Sequence, residues 1–247
     1  MEVHHHSRHG KKKWTEYIWE FLMLFLAVFC GFLAENIREH KVEKAREKQF
    51  MKSLIEDLKA DTASIANLNK LRNARHKMYD SLSSVIIEKK YAVNGAAVYY
   101  WGRSISRRSF FFSADGTLQQ LKNSGGLRLI SNKIITDKII AYDVLYRSIL
   151  RQQELEETQM NDYRALAAKI FDAAVFKKIT NLQDTIVIEI PDGNPQLKDD
   201  SPALLNELTN QLIYWATGST LLRQMLEQLE KKAAVLIELI QKEYNLK

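Results

Sequence analysis

The chain has 247 residues, 46% hydrophobic and 27% charged, enough for one substantial folded domain and too few for several. Its formal charge of +6 does not mark a nucleic-acid face, because Arg8 and Lys11 to Lys13 sit in the N-terminal tail and the other bases are interspersed with acids. A single cysteine, Cys30, excludes an intramolecular disulfide and leaves the compartment undecided between cytoplasm and periplasm.

Residues 1–13 read as a flexible tail rich in His and Lys. His4, His5, His6 and His9 are dense enough to bind Zn, Ni or Cu, but without cysteine or carboxylate ligands at closed-site spacing the flexible-tail reading is preferred, and no cofactor is expected. Residues 14–36 read as a transmembrane anchor. The uninterrupted apolar run, Phe21 to Ala34, covers ~21 Å as a helix, and extension through Tyr17, Ile18 and Trp19 brings it to ~27 Å against a hydrocarbon core of ~30 Å. Trp14, Tyr17 and Trp19 supply rings suited to the interface. A secretory signal would open in the same way, on Lys11 to Lys13, but the residues before Glu35 place the bulky Phe32 where a cleavage site wants a small residue. Phe29 before Cys30 argues against lipid attachment. The anchor is therefore expected to be retained.

Within this span Glu20, Ala27, Gly31 and Ala34 share a helical face that is small and partly polar. Ala27-x-x-x-Gly31 has the spacing that lets two membrane helices approach closely, although a carboxylate at Glu20 also suits simple placement at the interface. Flanking positive charge is nearly balanced. The tight cluster before the span favours a cytoplasmic N-terminus and a periplasmic helical domain.

Residues 37–49 read as a charged helical stalk, with Glu35, Glu39, Glu43 and Glu47 at i, i+4 and partners such as Arg38 and Arg46 at i+3. Residues 50–247 read as an α-helical domain. No Gly or Pro falls between Gly31 and Gly95, and an apolar stripe runs through Met51, Leu54, Leu58, Ile65, Leu68, Leu71, Met78, Leu82 and Val85, so one helix is predicted to end near Lys90. A short helix follows through Ala96 to Gly102. Ser104 to Thr117 reads as a loop tucking Phe110, Phe111 and Phe112 into the core, and Thr117 to Ser124 as a helix stopped by Gly125 and Gly126. Ser131 or Asn132 caps a long helix predicted to reach Phe176, with Ile135, Ile139, Tyr142, Leu145, Tyr146, Ile149 and Leu150 buried. Thr185 to Ile190 is the one strand candidate. Pro191 to Asp200 is a loop, and from Ser201 and Pro202 a helix runs to Tyr244, with a bend expected at Gly218. The fold class is mainly α: an N-terminal transmembrane helix continuing into a long helix and a helical bundle, with at most one short strand.

Sequence signatures of metalloproteases, phosphate-binding loops and nucleophile elbows are absent, which leans against an enzyme. Arg103, Arg107 and Arg108 form a basic turn that can bind an anion near Ser124, Gly125 and Gly126, although a helix C-cap accounts for the glycines.

Three stretches, MEVHHH at the start, EFLMLFLAVFCGFLAENIREH from Glu20 to His40, and TLQQLKNSGGLRLISN from Thr117 to Asn132, resemble an uncharacterised family of single-pass membrane proteins from Bacteroidota, a domain of unknown function. The resemblance implies that the His-rich start is native, that the anchor is kept and that Leu121 to Ile130 is a structural signature; it carries over no catalytic residue. The leading expectation is a noncatalytic, single-pass inner-membrane protein whose helical domain binds another protein or itself as a scaffold or sensor component. Its partners are the lipid bilayer and a protein partner or homo-oligomer, with no nucleic acid. The rival is a membrane-tethered enzyme or ligand sensor with a site near Arg107, Arg108 and the Ser124 to Gly126 turn.

Overall fold

A computed structural model describes residues 13–107, 109–183 and 185–246. Contacts divide the chain into two compact units, Met1–Phe50 and Met51–Lys247. The secondary structure is α1 (Trp14–Ile87), α2 (Gly95–Ile105), α3 (Gly116–Asn123), α4 (Lys133–Ile170), α5 (Ala173–Ile179), β1 (Thr180–Asn181), β2 (Val187–Ile188) and α6 (Pro202–Tyr244), with short 3₁₀ turns at Tyr91–Val93 and Gly126–Leu129.

In the first unit α1 is helical from Trp14, and its apolar stretch is long and apolar enough to cross a membrane, with none of that surface covered by protein. Phe21, Phe25 and Phe29 stack along one face at i, i+4, with ring centroids 6.3 and 5.9 Å apart. In the charged stretch that follows, the Arg38 guanidinium grips Glu35 through two hydrogen bonds, the i, i+3 pairing the sequence anticipated.

In the second unit three long helical segments share one period. The buried line of α1 passes through Met51, Leu54, Leu58, Asp61, Ile65, Leu68, Arg72, Tyr79, Leu82 and Ile86, steps of three and four that reach Tyr79 across Arg75. On α4 the line is Ile135, Ile139, Tyr142, Tyr146, Ile149, Gln153, Glu156, Met160, Tyr163, Ala167 and Ile170. On α6 it is Leu205, Leu208, Leu212, Trp215, Ser219, Leu222, Leu226, Leu229, Ala233, Leu236 and Ile240. A repeat of 3.5 residues keeps each seam turned toward its partners, as in a coiled coil. Direction follows from the bonds across the seams. Asp61 meets Tyr142 and Arg72 meets Glu156, so α1 and α4 run parallel; Arg72 meets Ser219 and Tyr79 meets the Leu212 carbonyl, so α6 runs against both.

The predicted stripe follows this seam as far as Leu68, departs from it at Leu71, Met78 and Val85, and shares with it the buried Leu82. Leu71 is exposed, while Arg72, Tyr79 and Ile86 are buried in place of Leu71, Met78 and Val85. The apolar count stepped onto the adjacent track because the seam itself carries charges at Asp61 and Arg72.

The parallel pairing obliges residues 88–132 to cross back along the bundle, and seam polar groups hold the crossover. Gln153 accepts from the Phe111 amide at 2.6 Å and donates to the Phe111 carbonyl at 3.2 Å. Asp61 accepts from the Ala114 amide at 2.7 Å, the Ser113 hydroxyl at 2.5 Å and the Tyr142 hydroxyl at 2.5 Å. These ties bury Phe111 and leave Phe112 exposed, so one ring of the predicted aromatic trio enters the core fully. Extended backbone sends alternate side chains to opposite faces.

Gly125 adopts φ +66° at the end of α3, the left-handed stop the sequence called for. Asn132 caps α4, accepting from the Ile134 and Ile135 amides at 3.0 and 3.4 Å. That helix ends at Ile170 rather than near Phe176. Phe171 turns extended to stack on Phe176 at 4.9 Å, and Asp172 caps α5 by accepting from the Ala174 amide at 2.7 Å. A Cβ on Gly102 would meet the Phe171 ring at 2.5 Å, so a side chain there would push that ring out. The predicted strand narrows to Val187–Ile188, which pairs antiparallel with Thr180–Asn181 in register Thr180↔Ile188. α6 is continuous through Gly218, whose carbonyl accepts from Gln152 on α4 at 3.4 Å, so this glycine serves helix approach rather than a break.

Candidate functional site

Where α2, the crossover loop and the β ribbon meet the bundle, a cleft of about 320 Å³ opens. Leu71, Ala74, Arg75 and Met78 of α1 form its floor, Tyr100 and Ser104 of α2 one side, Arg107 and Ser109 of the loop another, and Ile186 to Ile188 of the ribbon the third. This volume is at the lower end of the range for small-molecule sites. Leu71, Ile186 and Val187 are large apolar residues exposed at its wall. A small cavity of about 20 Å³ behind it shares Arg75, Arg107 and Ser109 and adds Phe110, Glu156, Glu157, Met160 and Trp215.

Arg75 occupies the seam position between Arg72 and Tyr79 but reaches the bundle edge, half-buried. Its guanidinium donates to the Ser109 hydroxyl at 2.8 Å and lies 5.9 Å from the centre of the Trp215 ring, a cation–π arrangement. Burial, together with the neighbouring Arg72 and Arg107 cations, pulls its pKa down to about 10, and it stays charged at neutral pH. Deeper in the seam Arg72 donates to Glu156, to the Ser219 hydroxyl at 3.0 Å and to the Ser219 carbonyl at 3.3 Å, while its buried Nε has no acceptor among the described residues. On the far side of the loop Arg164 donates to Glu157 at 2.9 Å and to the Ser106 carbonyl at 2.8 Å. Arg103 donates to the hydroxyls of Thr180 at 3.1 Å and Ser106 at 2.9 Å, and burial with Arg107 and Arg164 nearby lowers its pKa.

The charge balance of this corner is therefore uneven. Glu156 and Glu157 are engaged by Arg72 and Arg164, and among the described residues no carboxylate bridges Arg75, Arg103 or Arg107. The cleft can receive negative charge beside an apolar wall. Among the described residues, no imidazole, thiol or carboxylate lines the cleft, and no group of three His, Cys, Asp or Glu is placed to hold a metal ion.

Of the residues the sequence singled out, Arg107 lines the cleft. Arg108, His4, His5, His6 and His9 lie outside the described residues. Ser124 to Gly126 close α3 and are not part of the lining, so the structure does not bring that turn to Arg107. Glu20, Ala27, Gly31 and Ala34 lie exposed on α1, and a Cβ at Gly31 would meet nothing within 4 Å. Arg75 and Ser109 were missed. Arg75 was readable only from the heptad line three residues beyond Arg72, and that line came into view with the partner helices.

Comparisons with protein families, with curated proteins and with solved structures find no match to this chain.

Proposed function

We propose that the chain is a single-pass, noncatalytic protein of the bacterial inner membrane, N-terminus cytoplasmic and helical domain periplasmic, acting as a scaffold or sensor component that binds another protein or a second copy of itself. The observation that carries this reading is the bare apolar surface of the first unit. Fourteen large apolar side chains between Trp14 and Leu33 are exposed. At ~1.5 kcal/mol each their transfer out of water amounts to roughly 20 kcal/mol, which outweighs the ~2.5–3.5 kcal/mol of one carboxylate such as Glu20 at a helix centre. Membership of the single-pass Bacteroidota family is part of this reading and rests on the motifs at Glu20–His40 and Thr117–Asn132.

Two measurements test it. The full-length chain should stay with membranes through high-salt and carbonate washes and require detergent for release; recovery of a mature N-terminus near Glu35 overturns the anchor. A reporter active only in the periplasm, fused after Lys247, should give signal, and a cytoplasm-only signal overturns the orientation.

A second reading, a membrane-tethered ligand sensor, is favoured by one specific observation: the cleft at Arg75 and Arg107, where a cation pair without a bridging carboxylate faces exposed apolar residues.

A further inference from the structure

We propose that the cleft between α1, α2, the crossover loop and the β ribbon binds a small amphipathic anion: a carboxylate or phosphate monoester head seated on Arg75 and Arg107, with an aryl or alkyl body against Leu71, Met78 and Val187. The proposal rests on the ligand-sensor reading and names its ligand class.

Five observations converge on it. Among the described residues, five arginines gather in this corner, Arg72, Arg75, Arg103, Arg107 and Arg164, and their bonded carboxylates are Glu156, held by Arg72, and Glu157, held by Arg164. An incoming anion supplies the bridging charge that Arg75 and Arg107 lack, and the half-buried Arg75 makes that contact worth more than one in open water. Arg75 is fixed before any ligand arrives, by the Ser109 hydroxyl at 2.8 Å and the Trp215 ring, so little side-chain freedom is lost on binding. The cleft's remaining lining is largely aliphatic, and Leu71, Ile186 and Val187 are exposed there, which gives a free-energy gain to a ligand with an apolar body over a bare inorganic ion. The volume of about 320 Å³ equals the liquid share of roughly ten waters, the size of a single substituted ring. The Arg107 side chain is exposed on the cleft, and among the described residues it has no hydrogen-bond acceptor, so its guanidinium is open to an incoming anion.

The full-length chain in nanodiscs of neutral phosphatidylcholine, with empty nanodiscs as blank, is tested by saturation-transfer NMR and equilibrium dialysis. The probes are 4-phenylbutyrate, phenyl phosphate and uncharged 4-phenylbutan-1-ol. Both anions should bind, the alcohol about tenfold more weakly, and Arg107→Gln should weaken the anions about tenfold while leaving thermal unfolding unchanged. Arg75→Gln should do the same if it folds; the exposed Arg107 carries the test if it does not. Equal binding of alcohol and acid, unaffected by Arg107→Gln, overturns the anion class and leaves the sensor reading standing. Failure of every probe to bind overturns both. Repeating the titration in phosphatidylglycerol nanodiscs separates the sources of the head group: competition by that lipid, lost in Arg107→Gln, assigns it to the bilayer, and unchanged binding assigns it to a free anion.

Discussion

Arg72 and Glu156 illustrate what a single charged pair does inside a heptad seam. Both side chains are buried, and the guanidinium also bonds Ser219 on the third helix, so one layer of the bundle is polar across all its members. Removing one partner leaves the other charged and buried. Arg72→Met should therefore lower stability by ~3–5 kcal/mol, whereas Arg72→Met combined with Glu156→Leu should recover most of the loss, as read from thermal or urea unfolding of the detergent-solubilised chain. A double variant no better than the single one would mean that the layer's cost lies elsewhere. The same residue shows where sequence reading loses its hold. An arginine with aliphatic neighbours is by default assigned to the solvent face, and Leu71 beside it is the better apolar candidate. Only the partners supplied by Glu156 and Ser219, more than eighty residues away, make Arg72 a core residue. Arg107 could be named from the sequence as part of a basic turn, but a plain surface turn explains it equally, and the Ser124 to Gly126 turn named with it lies outside the cleft lining.

The elements legible in advance were those whose signals are local. The Asn132 cap, the left-handed Gly125 and the Ser201–Pro202 start of α6 need only their neighbours. The break at Phe171 was not legible, because it follows from Tyr99, Gly102 and Phe176 surrounding that ring. The crossover loop is held by side chains rather than by a sheet, and this gives a prediction at its own scale. Gln153→Leu strips both partners from the Phe111 backbone, leaving a buried donor and acceptor unpaired at ~1–3 kcal/mol each. Hydrogen exchange at Ser109 to Ser113 should accelerate by at least about tenfold while exchange in the middle of α6 changes little. In the apolar stretch of α1, a Cβ on Gly31 would meet open space. If the small face packs against a second copy, Gly31→Leu should weaken a crosslinked dimer and Phe25→Leu should do much less; equal crosslinking of all three chains would move the interface out of the anchor.

For the whole molecule the titration of buried tyrosines sets the alkaline limit. Burial raises the hydroxyls of Tyr79, Tyr142 and Tyr163, with the Asp61 bond adding to Tyr142. A raised folded-state pKa contributes stability that is complete below the unfolded value, ~10, and is lost as pH climbs through the folded one. Each such tyrosine should thus remove ~1.4 kcal/mol of stability per pH unit above 10, and Arg75, lowered to about 10, acts with the opposite sign. Arg103, also lowered by burial, acts in the same direction as Arg75, and the three tyrosines outnumber the two arginines, leaving a net fall. Urea midpoints should be level from pH 7 to about 9.5 and drop beyond, with the phenolate absorbance of these residues rising only as the chain unfolds.

The parallel pairing of α1 and α4 also sets an order of events during synthesis. The seam of α1 is complete once Ile86 has been made, yet its antiparallel partner begins only at Pro202. At ~5–20 residues per second the ribosome needs roughly six to twenty-odd seconds to deliver it. For that interval the α1 segment is an amphipathic helix without its partners, close behind a stretch long and apolar enough to cross a membrane. Asp61, Arg72 and Arg75 interrupt its apolar line, which keeps the segment too polar to enter a bilayer and ill suited to pairing with its own copy on a neighbouring nascent chain. The charges that later close the bundle thus first hold its earliest helix in water until there is something to close upon.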